Sequence, residues 1–548
     1  MCAQINAYMS YSWANSRGAT ELVLARFIAW QRTPLISQFF HPLAATYDLF
    51  WRFHPALLYG LAMLMGIQAA LFSLPVLFLP FCVIWFPVVT TPLGLFPRLK
   101  KRLLIALAVI AAAYLYAHSL YLYPQVSAEG TQGIACIDIS SIKSAKSFQG
   151  QSWKYTGTIQ SFVPLDGQDS VACHVPYTLF HSEHFDATCS YFVEGILKEW
   201  RPGYYILKLK KGKVWAPVSQ TWSMAELRLQ WKQQLFDYIL KHIPEKRSAR
   251  FLAGIVTGEF DDGQLSFEFS RFGLQHIMAI SGFHFAIIAS ILGFFLRQGF
   301  SKNVQTLILL LLLTGYFVFL GPACSIMRAW ITISISLCGY LLNKRAFGLN
   351  SLGVALIVML VINPLSYRSL AFQFSILTTA SILLFMPVMT TLLEKIWPKR
   401  PLKEAVLMRL TDQHGYVILS MFRDALALCL SVNLIALPLT LFYFHKFPLL
   451  SILYNLFFPF LVSIAMFLLV ISMGIGLIWP YAAKGFYVVT SEYTALMLDF
   501  TFNMPTSMDY FLRVRYFSGE ALIVYLVVLL TVGIFLSPKA QSSSPYFT

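Results

Sequence analysis

Long apolar stretches, broken by short polar and often basic interruptions, occupy most of this chain; the pattern predicts helices that cross a bilayer. Three such stretches lie near 55–72, 74–96 and 103–123. Nine more lie near 274–296, 303–321, 323–342, 350–366, 369–391, 416–440, 449–476, 481–502 and 518–537. The fold class expected is therefore a polytopic α-helical membrane protein of about 12 spans, with a polar insertion between the two blocks. The 481–502 stretch carries Lys484, Glu492 and Asp499, and a re-entrant segment is its alternative.

The polar insertion changes character along its length. Short β-branched and aromatic runs at 133–140, 153–163, 170–177 and 204–209, bounded by Gly, Pro, Asp and Ser, predict strands. Strands this short and this closely spaced suit a small five-stranded barrel of the oligonucleotide-binding (OB) type, or a sandwich. From Ser223 the period turns helical, with Leu227, Leu229, Trp231, Leu235, Tyr238 and Ile239 on one side of Arg228, Lys232 and Lys241. Such an amphipathic helix either lies on the outer leaflet or packs on the bundle. The expected divisions are a cytoplasmic lead-in (1–52), three spans (53–123), an extracytoplasmic OB-like domain (124–221), an amphipathic connector (222–273), a second membrane domain (274–537) and a cytoplasmic tail (538–548). No short apolar region with a small-residue cleavage site opens the chain, so no cleaved signal is expected.

Composition agrees with the pattern. The 548 residues are 57% hydrophobic and 12% charged, against about 25% charged in soluble domains. Disordered, collagen-like and small disulfide-scaffold classes are excluded. A net charge of +16 suggests a nucleic-acid binder, but residues 124–273 hold 16 Lys/Arg and 15 Asp/Glu, a net of 16 − 15 = +1. The remaining +15 sits in the termini, short loops and helices, where the positive-inside rule accounts for it. Arg98, Lys100, Lys101 and Arg102 then fall inside, as does the N-terminus, and the insertion falls outside in an inner (cytoplasmic) membrane. Arg513 and Arg515 fall outside too, against the rule.

Chemistry concentrates in a few places. His276, Ser281, Gly282 and His284 interrupt one apolar stretch, as polar groups beside a water-filled cavity or an interhelical hydrogen-bond network would. Arg328, early in its span, either lines a path for an anion or snorkels to headgroups. Gln373 and Ser375 are further intramembrane polar positions. Asn363-Pro364, Asn433 near Pro438 and Asn455 near Pro459 pair an amide with a helix breaker, as broken transporter helices do. Cys136, Cys173 and Cys189 allow one disulfide in an oxidising compartment, with the pair undetermined. Cys173, His174, His181, His184, Asp186 and Cys189 suit a metal by type but match no standard spacing, so neither metal nor cofactor is expected. No phosphate-binding G-x-x-x-x-G-K-[ST], no H-E-x-x-H and no full G-x-S-G occurs, so no enzyme is expected.

Taken in order, these motifs resemble the ComEC family of competence proteins. They run H-x-x-A-I-S-G-x-H at His276 to His284, then Arg328-Ala329, then Asn363, Pro364, Phe372, Gln373 and Ser375. Pro438, Leu439, Tyr443, Phe444, His445, Asn455 and Pro459 complete the series. The resemblance implies that 274–537 is a competence-type channel for transforming single-stranded DNA, with His276, Ser281, Gly282, His284, Arg328, Gln373, Ser375, Asn433 and Asn455 lining or shaping it. It also implies an outer domain that receives the strand. There Trp153, Tyr155 and Phe162 would stack bases while Lys208, Lys210 and Lys211 would meet phosphates. Many relatives add a C-terminal metallo-β-lactamase-like nuclease domain. This chain ends at 548, shortly after its last expected span, without H-x-H-x-D-H, so a separate nuclease is expected, together with an outer DNA receptor and a cytoplasmic motor. A secondary transporter of a small solute is the competing reading.

Overall fold

The computed structural model describes residues 46–71, 97–120, 129–147, 150–165, 171–201, 204–210, 215–220, 223–260, 262–278, 282–505, 507 and 509–543. The expected span at 74–96 and most of the lead-in lie outside them. Eight described helices are long and apolar enough to cross a membrane, or nine with one bent pair counted as a single span.

That pair is α1 (Thr46–Phe53) and α2 (Pro55–Ala70), bent by 88°. Pro55 forces the break, because it ends one helix and opens the next. Tyr47, Phe50 and Trp51 are buried against the bundle, so the end of the expected polar lead-in is core instead. Helix α3 (Pro97–Leu120) packs on α2.

The chain then enters a β-barrel. Strands β1 (Thr131–Ser147), β2 (Gly150–Pro164), β3 (Val171–His181), β4 (Cys189–Arg201), β5 (Tyr204–Leu209) and β6 (Ala216–Gln220) form one sheet. Its order is β1-β2-β3-β5-β4-β6, and a further β1–β4 pairing closes the first five strands into a ring. The β3–β5 step is parallel. Register shifts at Cys136/Ile137 and Ile139/Ser141 mark bulges that bend β1 far enough to meet both β2 and β4. Alternation fills the interior: Ala135, Ile137, Tyr155, Val175, Tyr177, Leu179, Val193 and Leu197 are buried. The apolar cluster continues from the barrel to Met63, Ile67, Met327 and Leu365 of the bundle.

Helix α4 (Met224–His242) follows the barrel. Ser223 caps it by accepting from Ala225 N, and the same hydroxyl donates to Ile139 O of β1 at 3.1 Å. Of the two placements expected for this helix, it packs on the bundle. Arg228 Nε donates to Val318 O at 2.7 Å, and the Tyr238 and Tyr487 hydroxyls lie 2.9 Å apart. Helices α5 (Lys246–Thr257), α6 (Gly263–Arg271) and α7 (Gln275–Met278) complete the connector.

The long block runs α8 (Gly282–Gly299), α9 (Lys302–Leu320), α10 (Cys324–Leu341), α11 (Gly348–Ile362), α12 (Leu370–Ile396), α13 (Leu402–Val406), α14 (Leu410–Phe444), α15 (Ser451–Ile478), α16 (Pro480–Phe502) and α17 (Gly519–Ser543). Of the expected span 274–296, α7 and α8 are described, and residues 279–281 between them lie outside the described residues. Asn363-Pro364 does break the chain: Asn363 Oδ1 accepts from Leu365 N at 3.1 Å and opens a 3-10 turn. Helices α14 and α15 instead run unbroken through Pro438 and Pro459. At 35 residues α14 is about 50 Å long, well beyond the expected 416–440. Stretch 480–502 is one continuous helix, though not one of the eight apolar enough to count as a span. Its polar face is taken up by Ser472 Oγ on Thr490 Oγ1 at 2.9 Å and by Arg247 on Asp499 at 2.8 Å.

Candidate functional site

Three of the expected site residues, Gly282, Arg328 and Ser375, meet at the barrel end of the bundle. Helix α8 starts at Gly282, and Arg328 lies in the second turn of α10. A Cβ built on Gly282 would sit 2.5 Å from Arg328 Nη2 and 3.4 Å from Ala329 Cβ. Only glycine lets the guanidinium lie against the opening turn of α8. On its other side, Arg328 Nε donates to Ser375 Oγ of α12 at 2.7 Å. Three helices therefore converge on one half-buried cation. A guanidinium so held favours an anion.

Two residues earlier on α12, Gln373 Nε2 donates to Tyr367 O at 3.1 Å, and its Oε1 accepts from the Tyr443 hydroxyl near the end of α14. Arg368, beside Tyr367, donates to Leu71 O at the end of α2. These bonds place the ends of α2, α12 and α14 on the barrel side.

His276 stands apart on α7, its Nδ1 3.1 Å from Gly273 O. Its ring is exposed although Leu274 and Ile277 are buried, so it looks out from an otherwise packed turn. His284 is fully buried, its ring edge-on to Phe283 at 5.8 Å. Ser281 lies outside the described residues.

Two expected site residues lie elsewhere in the bundle. Asn433 Nδ2 donates to Cys429 O of its own helix at 2.9 Å, which explains how α14 tolerates it. Asn455 Oδ1 is buried and has no partner among the described residues, as is Ser451 Oγ one turn before it on α15.

The barrel needs correction more than the bundle does. Tyr155 and Phe162 are fully buried core rings and offer no face for stacking. Tyr155 instead pins a loop: its hydroxyl donates to Glu183 O at 3.1 Å and accepts from Phe185 N at 2.8 Å. Trp153 is half-buried against His184 at 4.9 Å. Lys210 is paired with Glu194 at 3.2 Å, Lys208 is exposed, and Lys211 lies outside the described residues.

An outward aromatic is Phe180, 53% exposed on β3, with Lys154 Nζ 5.8 Å from its ring centroid; Phe192 and Trp200 of β4 are exposed as well. Lys154 pairs in register with both Phe180 and the exposed Lys143. Burial, and then Lys143, lower the Lys154 ammonium below the ordinary lysine range. Sequence reasoning ended this strand at 177. The alternation Val175, Tyr177, Leu179 against Pro176, Thr178, Phe180 was the signal that would have extended it.

Cys136 and Cys189 are both free thiols. Cys136 lies opposite Phe192, three residues along β4 from Cys189, about 10 Å and too far for a bridge. The Cys173 side chain lies outside the described residues. Its backbone is two strands from Cys136, again about 10 Å away. Burial, then Asp138, raise the Cys136 thiol above its ordinary value. No cluster of three or more metal-ligand side chains occurs among the described residues. His184 faces Glu226 at 3.5 Å, and Asp186 Oδ1 accepts from Thr188 N at 2.9 Å.

Comparison with known proteins bears on the same region. Residues 261–539 match the model of a family described as "Competence protein". The match starts just before α6, takes in the Gly282–Arg328–Ser375 junction and excludes the barrel. A curated relative, ComE operon protein 3 of Bacillus subtilis (strain 168), is 26% identical over 189 residues. That alignment covers 34% of this chain and 21% of the relative, so the chain spans about a fifth of that protein's length. No solved structure matches.

Proposed function

Since the chain belongs to the competence-protein family, we propose that its helical bundle conducts a single strand of DNA across the cytoplasmic membrane, and that the barrel receives the strand outside. The observation that carries this reading is the Gly282–Arg328–Ser375 junction. A guanidinium held against Gly282, with a serine hydroxyl fixing its orientation, suits a phosphodiester passing one unit at a time. Tethering through Nε to Ser375 leaves the Nη groups of Arg328, Nη2 of which lies beside Gly282, to meet phosphate oxygens. His276, Gln373 and Tyr443 would line the approach at the same end. The motor, nuclease and outer receptor expected from the resemblance would be separate proteins.

The strand order supports reading the barrel as OB-like. The ring β1-β2-β3-β5-β4 with its parallel β3–β5 step is the arrangement whose β2–β3 face binds oligonucleotides in such folds. On that face Phe180, Lys154 and Lys143 supply one ring and two cations, replacing the Tyr155 and Phe162 of the sequence reading. Phe180→Ala in the full chain should weaken binding of a labelled oligonucleotide by about 1–3 kcal/mol, the usual worth of one stacked base. Tyr155→Ala should instead destabilise the barrel by about 3–5 kcal/mol, as deletion of a core aromatic does. Equal affinity for Phe180→Ala and the parent would remove the stacking role.

Deleting the gene and following labelled DNA tests the whole reading. Cytoplasmic entry should be lost while surface-bound DNA remains. Undiminished entry would end it.

A further inference from the structure

A two-stranded ribbon closes the barrel-side end of the bundle: β7 (Lys446–Pro448) pairs antiparallel with β8 (Phe511–Arg513). In its register Lys446 lies directly opposite Arg513. Like charges placed opposite on one face of a ribbon repel. No acid relieves this pair: among the described residues, none of the ion pairs involves Lys446, Arg513 or the exposed Arg515. Asp509, the nearest acid along the chain, is bound to Arg271. The two cations share one ring instead, Lys446 at 5.7 Å and Arg513 at 5.9 Å from the Phe511 centroid. They also lie at the end of the bundle where the positive-inside rule expects few cations.

The ribbon is fixed at both strands to the segment that carries His276. Gly273 has φ +67°, and a Cβ there would sit 2.6 Å from Ser451 Cβ and 3.4 Å from Pro448 Cγ of β7. Gly273 O also binds His276. On the other strand, Arg271 holds Asp509, two residues before β8. The cationic face therefore sits beside His276. Tyr510 and Tyr516 flank it, 62% and 78% exposed.

We propose that this ribbon is a phosphate-binding ledge that takes the single strand before it reaches Arg328. The proposal rests on the strand-conducting reading above. Cations interleaved with exposed tyrosines match a polyanion that carries stackable bases. An incoming phosphate supplies the counter-charge that the Lys446–Arg513 pair lacks.

The test uses the full chain in nanodiscs of zwitterionic lipid and a fluorescein-labelled 20-nucleotide thymidine strand. Lys446→Gln, Arg513→Gln and Arg515→Gln combined should weaken binding roughly tenfold or more at 0.1 M salt. The slope of log affinity against log salt should fall by about 2, since each single-strand phosphate contact contributes about 0.7. Lys446→Glu separates binding from folding. It turns a repulsive cross-strand pair into an attractive one, so the thermal midpoint should hold or rise while strand affinity falls. Parent-like affinity and slope in both variants, with a binding parent, would overturn the ledge and leave the conducting reading intact. A parent that binds no strand would overturn both. Variants that lose only affinity for phosphatidylglycerol vesicles would assign the cations to lipid headgroups and overturn the ledge.

Discussion

Arg328→Ala should lower DNA uptake roughly ten- to hundredfold at unchanged protein level, the range expected when one charge-assisted contact of about 1.5–3 kcal/mol leaves a rate-determining passage. Protein level should hold because the substitution removes a half-buried charge. Ser375, which loses its 2.7 Å partner, can bond back to its own helix. Arg328→Lys should recover only part of the uptake, since an ammonium cannot hold Ser375 and present a planar edge toward α8 at once. Gly282→Ala should reproduce part of the loss from the opposite side. Its methyl would occupy the space 2.5 Å from Nη2 and push the guanidinium away from α8. Quantitative transformation with an immunoblot of the membrane fraction checks all three. Parent-level transformation in Arg328→Ala would take the junction out of the transport path.

Asp509→Ala should cost about 3 kcal/mol of stability and lower both the thermal midpoint in detergent and the membrane level of the protein. Arg271 is 6% exposed; its Nε lies 3.0 Å from each Asp509 oxygen, its Nη1 2.6 Å from Glu268, and its Nη2 donates to Met504 O. Removing one acid leaves a buried guanidinium short of counter-charge, which in buried pairs costs about 3–5 kcal/mol. The lower end applies because Asp509 is 22% exposed. Asp509→Asn should fall between, keeping one hydrogen bond without the charge. A thermal midpoint equal to the parent's in Asp509→Ala would show that the 503–510 loop is held by other contacts.

These two sites differ in how far the sequence revealed them. Gly282 and Arg328 announce themselves, because a glycine beside histidines and an arginine in apolar surroundings each break a local pattern. Arg271 and Asp509 are 238 positions apart, and each looks like an ordinary solvated charge until the fold brings them together. The barrel divides the same way. Its strands were legible from alternation, yet which aromatics point outward was not. Phe162 sits beyond a register shift between Ile159 and Ser161, and one extra residue there exchanges inside for outside.

The sequence by itself determined the helical membrane character, the position of the polar insertion, the break at Asn363-Pro364 and the cluster around Gly282. Each of these is written in a run of neighbouring residues, through hydropathy, period or a backbone restriction. Tertiary structure alone decided that Arg328 rests on Gly282 and bonds Ser375, that α14 and α15 pass through their prolines, and that Lys446 faces Arg513. Those outcomes depend on the packing of segments distant in the chain, where burial and register, rather than local preference, set which groups meet.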